Sequence, residues 1–143
     1  MIDLYNREVV GWAMSDSNDT ALTLNALSMA LSNHKPPVGL IHHSDRGSNY
    51  TAKNYCKALS ERDIRISMSR KGNCWDNAVA ESFFATIKKE LIHRFHFKTR
   101  REAASAIFEY VEVFYNRIRK HSKLGYTSPA QYRCSYKTAA TAA

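Results

Sequence analysis

This sequence predicts an α/β domain with an at least partly parallel sheet, and three observations predict it. Short apolar runs at residues 9–14, 38–43 and 64–68 read as strands. Stretches with helical spacing and recognisable caps stand between and after them. Strands that alternate with helices pair in parallel, because a helical crossover returns the chain to the same end of the sheet. At 143 residues and 44% hydrophobic content, the chain suffices for one domain with a real core.

Each element has a local reason. Asp3, Asn6 and their neighbours up to Arg7 read as a turn, since Asp and Asn side chains hydrogen-bond nearby backbone. Residues 9–14 read as a buried strand. Asp19 or Thr20 caps a helix carrying Leu22, Leu24, Leu27 and Leu31, which ends before Pro36-Pro37. Residues 38–43 form the second strand, a helix comes next over about residues 51–62, and a short strand covers 64–68. Residues 69–76, Ser-Arg-Lys-Gly-Asn-Cys-Trp-Asp, make a basic, glycine-containing loop that leads into a helix running to about Ile92.

Thr99-Arg100-Arg101-Glu102 has the capping-box pattern and opens another helix. Ile107, Val111, Phe114, Tyr115 and Ile118 give that helix an apolar face. Ser128-Pro129 is an N-cap with proline in the first helical position. No repeat or low-complexity linker divides the sequence. Residues 1–133 therefore read as one domain and residues 134–143, rich in Ala and Thr, as a disordered tail.

Composition excludes several classes. No run of about 18 apolar residues and no signal-peptide pattern is present, so a soluble, cytoplasmic protein with no membrane partner is expected. Cys56, Cys74 and Cys134 form no CxxC pair, so they read as packing residues or free thiols. The formal charge is +8, and residues 88–123 hold ten Lys/Arg against four Glu. That balance suits a polyanion, nucleic acid first, although a solvated helix surface reads equally well from charge alone.

Two carboxylates carry the chemistry. Asp45 closes the second strand at Ser44-Asp45-Arg46-Gly47, and Glu81 stands in the first turns of the helix after the basic loop. A carboxylate at a strand end and one on a neighbouring helix can share divalent cations, because hard metals take oxygen ligands. Two such ions can activate an attacking oxygen and stabilise a leaving one on phosphorus. That chemistry needs a third carboxylate, which the sequence does not supply.

The plainer readings are that Asp45 bonds turn amides and that Glu81 favours its helix N-terminus. Lys88 stands about two turns after Glu81 and suits a phosphate contact, or is a surface lysine. His42 and His43 point to opposite faces of a strand, so at most one looks toward Asp45. His93 and His96 lack a third ligand and read as facing solvent or DNA. Phe83, Phe84, Phe114 and Tyr115 read as core. Trp75 reads as packing, or as a stacking surface for a DNA base.

At these residues the sequence resembles bacterial insertion-sequence transposases with a retroviral-integrase-like core. The resemblance rests on residues 43–50 (His-Ser-Asp-Arg-Gly-Ser-Asn-Tyr), 69–78, Glu81-Ser82-Phe83-Phe84 and 115–129, and covers Asp3 to about Tyr132. It implies a ribonuclease H-like fold, a mixed sheet flanked by helices. It also implies a DDE site holding two Mg²⁺ or Mn²⁺ ions, which nicks element ends with water and then joins the freed 3′-hydroxyl to target DNA. Asp45 matches the second Asp of the triad, Glu81 its Glu, and Lys88 the basic residue two turns later. Arg70 and Lys71 become candidate DNA contacts, element ends and target DNA the partners, and a homo-oligomer the active form.

The departure is at the N-terminus. In such transposases the first strand and its Asp lie upstream of the segment that resembles residues 2–7, so both are expected to be missing here. Asp3 falls in a turn and does not replace that Asp. The expectation is therefore an N-terminally truncated catalytic core whose open strand edges and incomplete triad leave it inactive alone. The alternative is a catalytically dead DNA-binding or dimerising fragment that interferes with intact transposase; a remnant that does not fold is the third.

Overall fold

The computed structural model describes the backbone of residues 1–70 and 77–141, and the side chains of 1–70 and 77–135. Two compact units result: Met1 with Val10–Ser82, and Ile2–Val9 with Phe83–Ala143.

The first unit is built on helix α1 (Thr20–Asn33), strand β1 (Ile41–Ser44), the single turn α2 (Ser48–Thr51), helix α3 (Lys53–Ser60) and strand β2 (Arg65–Met68). The two strands pair in parallel, with Ile41 opposite Arg65 and Ser44 opposite Met68. The backbone bond from Ser69 N–H to Ser44 O (2.9 Å) extends that pairing by one residue. Asp19 caps α1 as expected, accepting from Leu22 N–H at 2.9 Å. Leu27, Tyr55, Leu59 and Ile64 form the core, with Leu24, Leu31 and Tyr50 packed on it.

Three expectations in this unit need correction. Residues 10–14 form no strand. Val10 N–H bonds Met1 O at 3.0 Å and Trp12 N–H points to Met29 Sδ, so the ladder donors are spent elsewhere. Gly11 lies flat on α1, where a Cβ would come within 2.3 Å of Ala26 O. Residues 38 and 39 are a turn before the strand: Leu40 N–H bonds Pro37 O, and Gly39 takes φ +80°, as the third position of a type II turn requires. The helix expected over 51–62 is split at Ala52, whose backbone is extended (φ −61°, ψ 138°).

In the second unit, Ile2 and Val9 form one antiparallel bridge around the expected turn. Asp3 Oδ1 accepts from Tyr5 N–H at 2.8 Å, and Arg7 takes φ 63°. Among the described residues, the antiparallel part of the expected mixed sheet is reduced to isolated bridges, this one and His121 with Thr127. Helix α4 (Ala78–Ile87) continues as a π-helical stretch, Lys88–Ile92. Helix α5 (Arg100–Phe108) starts with one half of the predicted box: Glu102 N–H donates to Thr99 Oγ1 (3.1 Å), while the Glu102 carboxylate accepts from Lys98 N–H (2.8 Å), one residue before the cap.

Helix α5 also turns π-helical, over Glu109–Tyr115. Each π turn takes up an extra residue and rotates the residues after it about the helix axis. The expected apolar face is thereby broken: Tyr110, Val111 and Tyr115 are buried, while Phe114 and Ile118 are 39% and 59% exposed. Phe84, also read as core, is 58% exposed, whereas Phe83 stacks edge-on against Tyr115 at 4.9 Å. Helix α6 (Pro129–Thr141) opens on Ser128, whose Oγ accepts from Gln131 N–H while Gln131 Oε1 accepts from Ser128 N–H. The helix runs on into the 134–143 stretch.

Among the described residues, no helix is long and apolar enough to cross a membrane. Neither Cys56 nor Cys134 is in a disulfide, and Cys74 lies outside the described residues.

Candidate functional site

Asp45 sits one residue beyond β1, where the strand opens into the turn before α2. The parallel crossover ends each strand at the same edge, so a carboxylate placed there projects beyond the sheet. Asp45 Oδ1 accepts from Gly47 N–H at 2.8 Å, the Asx turn of the plainer reading. Oδ2 has no hydrogen-bond partner among the described residues, and Asp45 is exposed. The turn itself is tied down on both sides. Arg46 Nε donates to Ser69 O (2.9 Å) at the end of β2. Asn49 Nδ2 donates to Asn18 Oδ1 at 3.2 Å, and Thr20 Oγ1–H reaches Asn49 Oδ1 at 3.4 Å. Burial and then the negative charge of Asp45 raise the Tyr50 phenol above its ordinary range, which puts that ring beside the carboxylate.

Glu81 lies in the first turn of α4, exposed, at the helix end that favours negative charge. Both carboxylates belong to the first unit. Lys88 is exposed and opens the π-helical stretch, and Arg70 is exposed just after β2. Lys71 and Trp75 lie outside the described residues.

The two strand histidines do face opposite ways. His42 Nε2 meets Tyr55 OH at 3.0 Å on the core side, and burial lowers its pKa. His43 Nδ1 meets Ser67 Oγ at 2.9 Å, cross-strand in register. Their other ring nitrogens, His42 Nδ1 and His43 Nε2, are buried without a partner. His93 and His96 are exposed.

A polar network in the second unit was not legible in the sequence. Arg119 binds Glu90 through Nε and Nη2 (2.7–3.0 Å), and Tyr110 OH donates to Glu90 Oε2 at 2.7 Å. The Arg119 hydrogen bonds lead in holding the Glu90 carboxyl below the usual carboxylate range. Asn116 acts as a strand surrogate: its Oδ1 accepts from Val9 N–H (2.9 Å) and its Nδ2 donates to Val9 O (3.0 Å), all buried. Arg133 Nη1 reaches both oxygens of Glu8 at 2.8 and 2.9 Å. The charge of residues 88–123, the apolar face from Ile107 to Ile118 and the resemblance of residues 115–129 pointed to this region, but none of them gave these contacts.

Parallel strands joined through helices, with further helices after them, are consistent with the fold of integrase-like cores. The fold agrees with a solved relative, a chain of the simian T-cell lymphotropic virus intasome in complex with PP2A regulatory subunit B56 gamma. That match has a TM-score of 0.65 at 14% identity and covers 82% of this chain and 41% of the other.

Two family models, each described as integrase core domain, match residues 1–74 and 81–135. The chain belongs to the integrase-core family of insertion-sequence transposases. It is 51% identical to the insertion element IS600 uncharacterized 31 kDa protein of Shigella sonnei, over 94% of this chain and 49% of that protein. It is 45% identical to the transposase for insertion sequence element IS904 of Lactococcus lactis (92% and 52% covered) and to transposase InsF for IS3A of Escherichia coli (92% and 46%). The chain thus spans about half the length of the relatives it matches.

Such cores use divalent metals, and the donor set here meets that demand in part. Asp45 and Glu81 offer exposed, hard oxygen donors. Among the described residues, no group of three or more His, Cys, Asp or Glu is gathered to hold a metal ion.

Proposed function

We propose that this chain is a segment of the catalytic core of an insertion-sequence transposase, working in DNA transposition and integration. The observation that supports this reading is where the two integrase-core matches fall: Asp45, one residue past β1, lies within the first, and Glu81, in the first turn of α4, opens the second. In this reading Asp45 and Glu81 give oxygen ligands to Mg²⁺ or Mn²⁺. The bound ions supply Lewis-acid stabilisation of oxygens on phosphorus. Lys88, Arg70 and Lys71 hold DNA phosphates, and the working form is a cytoplasmic homo-oligomer on element-end and target DNA. Two carboxylates give weaker affinity than three, so the chain alone binds metal weakly and transfers strands poorly or not at all.

Calorimetric titration with Mg²⁺ or Mn²⁺, beside Asp45→Asn and Glu81→Gln, tests this. Binding lost in both variants supports a shared carboxylate site. Robust nicking of element-end DNA by the chain, abolished by Asp45→Asn, would overturn the expected inactivity.

A second reading has its own observation: the second unit carries many exposed cations, among them Arg94, Lys98 and Lys120. It is a DNA-binding or dimerising fragment that interferes with intact transposase. Equal inhibition of transposition by wild type and Asp45→Asn, lost on neutralising residues 88–123, favours it.

A further inference from the structure

The second unit contains a groove of about 560 Å³ between the π-helical end of α4 and helix α5. Leu91 and Tyr110 lie along it, both buried, and Phe95 and Phe114 stand at it, 58% and 39% exposed. Arg94 and Lys120, both exposed, also line it. We infer that this groove binds single-stranded nucleic acid, seating an unpaired base against Phe95 with its phosphates on Arg94 and Lys120. The inference rests on the transposase reading above for the kind of ligand and extends it to a site outside the two carboxylates.

Three features carry it. The first is an aromatic platform. Phe95 and Phe97 stack at 6.4 Å with an interplanar angle of 27°, and the sequence around them, His93-Arg94-Phe95-His96-Phe97-Lys98, interleaves basic and aromatic residues. Base stacking on aromatics beside a cationic track is how single strands are held without sequence preference. The platform is also fixed in place. Arg94 Nε donates to Lys89 O (3.2 Å) and Lys98 N–H to the Glu102 carboxylate (2.8 Å), which holds both ends of the turn.

The second feature is electrostatic. Glu90 would repel a phosphate, but it is neutralised by Arg119 at 2.7 Å and by the Tyr110 hydroxyl. Arg94 and Lys120 are exposed cations of the lining; the charge of Arg94 also acts on Glu90, and Glu109, exposed, is the other acidic residue there. A ring N–H of a base, such as thymine N3–H, is a suitable donor to Glu109.

The third is shape. A duplex covers its base faces by stacking, so an exposed phenyl face finds nothing to bind there, whereas a splayed base offers its own. A second copy of this chain is disfavoured, because it would bring a like-charged rim against Arg94 and Lys120 in a chain of net charge +8.

Fluorescence anisotropy with a labelled oligothymidylate and a duplex of equal length tests the inference, with Phe95→Leu, Phe95→Tyr and Arg94→Gln/Lys120→Gln. Leucine keeps the apolar bulk and removes the π face. Phe95→Leu is expected to weaken single-strand binding about 5- to 150-fold while duplex binding changes little. Phe95→Tyr restores it, and the double variant flattens the salt dependence. Circular-dichroism melts check folding, and Phe95→Tyr against Phe95→Leu keeps the comparison meaningful if either is destabilised.

Wild-type affinity in Phe95→Leu, equal losses on single strand and duplex, or no oligonucleotide binding at all would each overturn it. So would a Phe95→Leu defect confined to self-association in sedimentation. Mn²⁺ titration of the wild-type chain reports the underlying reading separately. Metal binding without oligonucleotide binding sinks the groove alone, and platform-dependent oligonucleotide binding without metal leaves it standing.

Discussion

The two units hold their key residues in contrasting ways. In the first, the residues that offer chemistry lie on exposed backbone. The four-residue strand β1 ends at the Asp45 turn, and the ties around that turn are hydrogen bonds of 2.8–3.4 Å between exposed or half-buried groups. In the second, the strongest contacts are buried or half-buried and span the sequence. Asn116 binds Val9 across 107 positions, Arg133 binds Glu8 across 125, and Arg119 binds Glu90 across 29. Long-range polar contacts of this kind fix one arrangement, because breaking them leaves buried groups unpaired. The family-like motif of the first unit reads as chemistry, and that of the second as architecture.

The largest effect should come from the architectural side. Asn116→Ala strands the Val9 N–H and C=O in a buried place and should cost about 2–4 kcal/mol. Asn49→Ala, which breaks an exposed bond to Asn18 and a long, half-buried one to Thr20, should cost within about 0.5–1 kcal/mol. Urea denaturation of both variants measures the gap. Equal losses would abolish the distinction between the units.

Acid should sharpen it. The His121 pKa is lowered, by burial first and then by Arg119 and Arg7 against the opposing pull of Glu90. Its edge-on partner is Tyr115 at 4.8 Å, and its buried Nε2 has no partner. A histidine with a folded pKa below its unfolded value of 6.5 binds fewer protons when folded. Stability is therefore full above about pH 6.5 and falls as pH drops through the folded pKa. Glu90, whose pKa is also lowered, adds a second loss only as pH falls below its unfolded 4.5. Melting temperatures between pH 7.5 and 5 should decline in the wild type and decline less in His121→Phe. His42, lowered by burial in the first unit, contributes the remainder. An unchanged slope in His121→Phe would remove this residue from the account.

The sequence was most legible where signals are local. The Asp19, Thr99 and Ser128 caps and the Asp3 turn each arise from groups two to four residues apart, and each is present. That His42 and His43 face opposite ways comes from strand alternation alone. The expectations that failed depended on distant partners. Residues 10–14 have strand composition, but Gly11 lets them press against α1 instead. Phe114 and Ile118 keep helical spacing, but the π-helical stretch turns them outward. Asp45 and Glu81 were singled out by residue type and setting, and both are exposed. The Glu90–Arg119 pair was missed because no spacing rule joins residues 29 apart.

The smallest expected change in stability concerns the Asp45 turn itself. Gly47 has φ −58°, which alanine adopts freely, so Gly47→Ala should shift stability by no more than about 1 kcal/mol. Yet a Cβ at residue 47 would stand 2.9 Å from Asp45 Oδ1, too close to keep, and the carboxylate would have to rotate away. If Asp45 holds a metal ion through an orientation fixed by the Gly47 N–H bond, Mn²⁺ affinity should fall roughly tenfold while the fold stays intact. Calorimetry and denaturation on the same sample separate the two effects. Unchanged affinity would mean that the turn sets nothing the metal needs. A stability loss rivalling that of Asn116→Ala would mean that the turn is architecture too.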